Sequence, residues 1–217
     1  MKRFILNIYK FSIILFLGTN TFGFSEGTDY MRLETPIKNM DKTLIKVFSY
    51  ACPICYEDDE TAMPVIVKEL EGIVEFKPFH IKTQGVYAKE ASELYAVLLV
   101  KDSENGITYL FDKKSQFNKA KMAYYHAYHN NKERWREGSE SFLETGLKAS
   151  GLSKAEFESL KNDQRVKDIL DMWDASYDIV KMQGLYAYIV NGKYIIYEKN
   201  IKSTMNLVEI IKEIADK

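Results

Sequence analysis

Leu44-Ile45-Lys46-Val47-Phe48-Ser49-Tyr50-Ala51-Cys52-Pro53-Ile54-Cys55 is the stretch on which the reading of this chain turns. Its first half is apolar and β-branched, as a buried strand requires. Its end carries the only two cysteines among 217 residues. A disulfide stabilises by closing a loop in the unfolded chain, and the effect grows with loop length. The Cys52–Cys55 loop is too short to gain much that way. The pair therefore points to redox chemistry rather than stapling.

Working outward, the strand is expected over Thr43–Ser49. Tyr56-Glu57-Asp58-Asp59-Glu60 then opens a helix, with its acids in a first turn where the helix dipole favours them. Pro64 should kink this helix, and Gly72 ends it. Ile73–His80 alternates as a second strand. From Val86 to Lys181 the apolar spacing is helical, with Asn105-Gly106 as a turn and Ser153 with Glu156 as a capping box. A long helix is expected from Gln164 to Met182. Leu185–Val190 and Lys193–Tyr197 read as strands joined by Asn191-Gly192, a two-residue hairpin signal. Ser203 or Thr204 should cap a last helix with Leu207, Ile210, Ile211 and Ile214 on its apolar face. The order is β-α-β, a helical block, then β-β-α.

Residues 1–25 read as a signal peptide. Lys2 and Arg3 precede the short apolar run Phe11–Gly18, and small residues follow. Export would place the cysteines where a disulfide persists. Net charge is −1 with 28% charged residues, and no basic patch marks a nucleic-acid partner.

These features, with Phe48-Ser49-Tyr50-Ala51-Cys52-Pro53-Ile54-Cys55-Tyr56, Phe79-His80-Ile81 and Val190-Asn191-Gly192-Lys193-Tyr194, resemble the DsbA family of periplasmic thiol oxidases. The resemblance covers about residues 40–215. It implies an α/β architecture: a thioredoxin-like fold, over 40–83 and 182–217, carrying an inserted all-helical domain over 84–181. It implies a thiol:disulfide oxidoreductase in the periplasm, acting on reduced substrate proteins and reoxidised by a DsbB-like membrane partner. No dissociable cofactor is implied, and a monomer is favoured.

Cys52, at or just before the helix start and exposed, is expected to be the sulfur that substrate attacks. Cys55, one turn in and more buried, is its internal partner. Pro53 suits an early helical position. Two residues are expected to tune the pair. Ile54 stands where the best-known members carry histidine, which implies a less depressed Cys52 pKa. Lys46 is expected to snorkel to solvent from its strand end; a buried Lys46 would push the pKa down instead. Leu185 and Tyr186 should line the substrate face. Tyr186 stands where such folds place a cis-proline, and a non-proline cis bond costs about 2.5–4 kcal/mol, so Tyr186 is expected trans or in a changed backbone.

Other candidates have plainer explanations. A CxxC pair alone supplies too few ligands for zinc, and no metal site is expected. His126 and His129 share a helical spacing but read as partly exposed residues of a tyrosine-rich helix. Tyr124, Tyr125 and Tyr128 read as packing. Glu57–Glu60 form either a rim for basic partners or, as favoured, solvated charges. Two readings of function stay open beside the oxidase: a reductase or isomerase using the same cysteines, and a client-binding module with weak redox activity.

Overall fold

The structure, a computed structural model, describes residues 23–217. The expected signal segment falls almost wholly outside them. Its centre is a five-stranded sheet. Strand β2 (Thr43–Phe48) is buried along its whole length, which is why it reads as a continuous apolar run. It pairs in parallel with β3 (Glu75–His80) and antiparallel with β4 (Ala187–Val190). Beyond β4 lie β5 (Tyr194–Ile196) and β1 (Tyr30–Arg32), both antiparallel. The turn is built on the expected Asn191-Gly192, both with positive φ, but Val190 pairs with Tyr194, so the connection holds three residues rather than two: Lys193 belongs to the turn, its N–H donating to Val190 O.

Parallel neighbours need a crossover, supplied here by α1 (Pro53–Thr61) and α2 (Met63–Glu69). Pro64 does more than kink: it separates two helices at Ala62, since its ring nitrogen has no hydrogen to donate. Between β3 and β4 every regular element is helical: α3 (Ala88–Glu104), α4 (Gln116–Tyr125), a π-helical turn (His126–Asn130), α5 (Ser139–Ser150), α6 (Lys154–Leu160), α7 (Gln164–Trp173) and α8 (Ala175–Gln183). The Ser153–Glu156 capping box is formed.

The single long helix expected from Gln164 to Met182 is instead two, α7 and α8, broken at Asp174. There the backbone tightens into Asp174 N–H to Asp171 O and Tyr177 N–H to Asp174 O bonds. Aspartate is a weak helix-interior residue, and here it turns to Lys82, 2.5 Å away. Helix α9 (Thr204–Ile214) closes the chain, capped by Ser203.

Two apolar cores lie against the sheet. Ile45, Val47 and Ile189 pack with α3, α4 and α5. Leu44, Val190 and Ile196 pack with α2 and the expected face of α9. The end of β2 thus delivers Cys52 to the place where the crossover helix meets the helical block.

Candidate active site: a disulfide above buried charges

Cys52 and Cys55 are joined as a disulfide, with Cα atoms 5.2 Å apart. Cys52 is the N-cap of α1, in extended conformation (φ −89°, ψ 114°), and Pro53 takes the first turn. The Cys52 Sγ accepts the Cys55 backbone N–H at 3.1 Å. Ahead of it the chain makes a tight turn, the Cys52 N–H donating to Ser49 O at 3.1 Å. The Ser49 hydroxyl accepts the Ala51 N–H. A sulfur in a cap position faces the unpaired amides and positive end of the helix dipole, which favours negative charge there.

The expected exposure of Cys52 needs correction. It is only 4% accessible, against 0% for Cys55; the asymmetry has the expected sense but is small. Ile54 is 54% accessible and brings no polar group toward the sulfurs.

Lys46 does not snorkel. It is 1% accessible because its strand is central and leaves no route out. Its Nζ lies 2.5 Å from Asp58 Oδ2 and 2.8 Å from Asp59 Oδ1. Lys121 of α4 reaches Asp59 Oδ2 at 2.9 Å. Tyr125 and Tyr188 donate hydroxyls to Asp59 and Asp58. Two ammoniums thus face two carboxylates, so the positive charge of Lys46 is balanced within the cluster. Burial alone would raise the Asp59 pKa; Lys121 and Lys46 outweigh it and hold the carboxyl below its usual value. Burial likewise lowers Lys121, against the pull of Asp59.

The acidic run is therefore neither a rim nor a solvated first turn. Helix α1 starts at Pro53 rather than Tyr56, which moves the acids to its second turn. Glu57 and Glu60 stay outside while Asp58 and Asp59 turn inward. Lys121 escaped the sequence reading, although its signal was there: it falls on the buried stripe of α4, between Phe117 and Tyr124.

Leu185 and Tyr186 lead into β4 and are half-buried against the core that holds both cysteines. No peptide bond among the described residues is cis, and Tyr186 has φ +67°. Its backbone is left-handed, a conformation that costs a bulky residue roughly 1–2 kcal/mol. Its ring packs edge-on to Tyr188 and lies 6.0 Å from the Lys46 ammonium.

His126 is exposed, while His129 points inward, its Nε2 3.0 Å from Tyr50 O. They do not converge, and no group of three or more His, Cys, Asp or Glu able to hold a metal occurs among the described residues. Tyr124 and Tyr125 are fully buried and pack as expected. His80 is buried at the end of β3, with Nδ1 2.7 Å from Ser92 Oγ.

Known proteins resemble this chain over most of its length. The thiol:disulfide interchange protein DsbL of Escherichia coli is 54% identical over 196 residues, 89% of this chain and 88% of its own. The DsbL of Lelliottia amnigena is 49% identical over 220 residues, 99% of each chain. The chain belongs to the DsbA family of thiol:disulfide interchange proteins. The crystal structure of DsbL from Salmonella enterica serovar Typhimurium superposes with a TM-score of 0.87 at 53% identity, over 90% of this chain and 98% of that one. The DsbA of Proteus mirabilis, 17% identical, shares the fold with a TM-score of 0.65 over 89% and 95%. No protein-family model matches. The fold of this DsbA-family member is thus thioredoxin-like with inserted helices, and the protein is a thiol:disulfide oxidoreductase.

Proposed function

We propose that this protein donates the Cys52–Cys55 disulfide to reduced proteins outside the cytoplasm. A substrate thiolate attacks Cys52 Sγ, the Cys52–Cys55 bond breaks, and Cys55 leaves with the electron pair and takes up a proton. A second substrate thiolate then attacks its own sulfur in the mixed disulfide and releases Cys52 as thiolate. Two electrons pass from substrate to protein, and a DsbB-like membrane partner takes them on. Pro53, Leu185 and Tyr186 border the face on which the polypeptide lies, and Ile54 and Lys46 modulate the pair. Residues 40–83 and 182–217 form the thioredoxin-like unit and 84–181 the inserted helical domain, acting as a monomer. Residues 1–25 direct export to the periplasm.

The observation that carries this reading is the cap position of Cys52, with its sulfur accepting the Cys55 N–H at 3.1 Å. A thiolate held there stabilises the reduced form, and a stabilised reduced form makes the disulfide a strong oxidant. Equilibration against glutathione tests it. A potential near about −120 mV, the value of the strongly oxidising DsbA, supports donation; one near about −270 mV, as in thioredoxin, overturns it. Replacement Cys52→Ser should abolish exchange, whereas a client-binding module would keep its function.

A further inference from the structure

We propose that His129 is a positioning residue for the disulfide exchange, tying the turn that presents Cys52 to the helical block. The inference deepens the reading of Cys52 as the attacked sulfur and rests on it.

His129 lies in the π-helical turn His126–Asn130 that continues α4. The turn closes with the Asn131 N–H donating to His126 O. A π turn holds one residue more than an α turn, so it rotates the next residues relative to the helix face. Here it brings His129 against the turn Ser49–Cys52. Nε2 lies 3.0 Å from the Tyr50 carbonyl, and since a carbonyl only accepts, Nε2 carries the proton. Tyr50 is central to that turn, whose own bond, Cys52 N–H to Ser49 O, leaves the Tyr50 carbonyl free to accept from elsewhere.

The same π turn grips the other side of the pair. The His129 ring stacks on Tyr56, centroids 5.6 Å apart and planes at 19°. The Asn130 amide donates to the Tyr56 hydroxyl at 3.0 Å. Tyr50 and Tyr56 flank the CxxC in sequence, so adjacent residues of one turn hold both flanks. Burial, with the cations of Lys132 and Arg134, holds the His129 pKa below its usual value against the opposing bond to the Tyr50 carbonyl. The 3.0 Å contact with an acceptor-only carbonyl makes the role of His129 that of a hydrogen-bond donor.

When the disulfide opens, its covalent restraint on Cys52 is lost. The His129 bond is then what keeps Ser49–Cys52 in the conformation that leaves the Cys52 thiolate on the helix cap. Without it the thiolate samples positions off the cap, and the reduced form loses stabilisation.

The test compares His129→Gln, which keeps a donor but no ring, with His129→Leu, which keeps bulk but no donor. The glutathione equilibrium constant and the Cys52 thiolate pKa are measured in the full mature chain. His129→Leu should raise the pKa and make the disulfide about three- to tenfold less oxidising, in line with one lost hydrogen bond. His129→Gln should stay within about twofold of the parent. If His129→Leu does not fold, His129→Met, which also lacks a donor, takes its place. A donorless variant with parental constants overturns the proposal. So does a His129→Gln shift as large as that of the donorless variant, since ring packing would then explain both. The parent's own constant tests disulfide donation and the loss of exchange in Cys52→Ser tests the assignment of Cys52, so failure of either is distinguishable from failure of the His129 proposal.

Discussion

Lys121 on α4 and Asp59 on α1 meet at 2.9 Å with both side chains nearly out of solvent. The contact binds the inserted helices to the helix that bears the cysteines through a charge pair shared with Lys46. Lys121 also stands 4.5 Å from the centroid of the Phe111 ring, so its ammonium is enclosed by one carboxylate and aromatic faces.

Removing one member of a buried pair strands its partner. Asp59→Asn should cost about 3–5 kcal/mol, because Lys121 loses the carboxylate it is paired with. Lys121→Met should cost less, since Asp59 keeps Lys46 and Tyr125. The double variant should be more stable than the sum of the two losses implies. Urea unfolding of the three proteins measures this; simple additivity would contradict the shared network.

His80 makes the fold sensitive to acid. Burial drops its pKa to about 3, against about 6.5 in an unfolded chain. Between these values the unfolded state binds a proton that the folded state refuses. Stability is therefore full above pH 6.5 and falls as the pH is lowered towards 3, at up to about 1.4 kcal/mol per pH unit. His129, also held below its usual value, adds to the same slope. Urea midpoints between pH 7 and pH 4 should show a shallower slope in His80→Gln than in the parent, whatever the absolute stabilities. Equal slopes would refute the assignment.

Tyr186 should not accept the proline that such folds usually carry. Proline is locked near φ −65°, and the backbone here stands at +67°. Tyr186→Pro should lose about 1–3 kcal/mol. Tyr186→Asn tolerates the left-handed region and should unfold within about 1 kcal/mol of the parent. Thermal unfolding distinguishes the two; a stabilised proline variant would mean that the loop adopts another backbone.

The elements were legible where local rules decide them. Thr43–Phe48 is a strand because an unbroken apolar, β-branched run suits the middle of a sheet. Asn191-Gly192 makes the hairpin because both residues accept positive φ. Ser153 and Ser203 cap helices through their own hydroxyls, and the CxxC at a strand-to-helix turn located the redox pair. The break at Asp174 was not legible, because the helical spacing of apolar residues runs through it and the partner of Asp174, Lys82, lies far away in the chain.

The same limit applies at the site. The residue types of Cys52, Cys55, Pro53 and Ile54, and their order, belong to the sequence alone. That Lys46 is buried rather than solvated, that Asp58 and Asp59 face inward to meet it, and that Lys121 and His129 come to the active-site helix were decided only by the tertiary structure. Hydrogen bonds and ion pairs form between atoms a few ångströms apart, and these residues are brought that close only when the helical block packs against the end of β2. Local propensity carries no record of such distances.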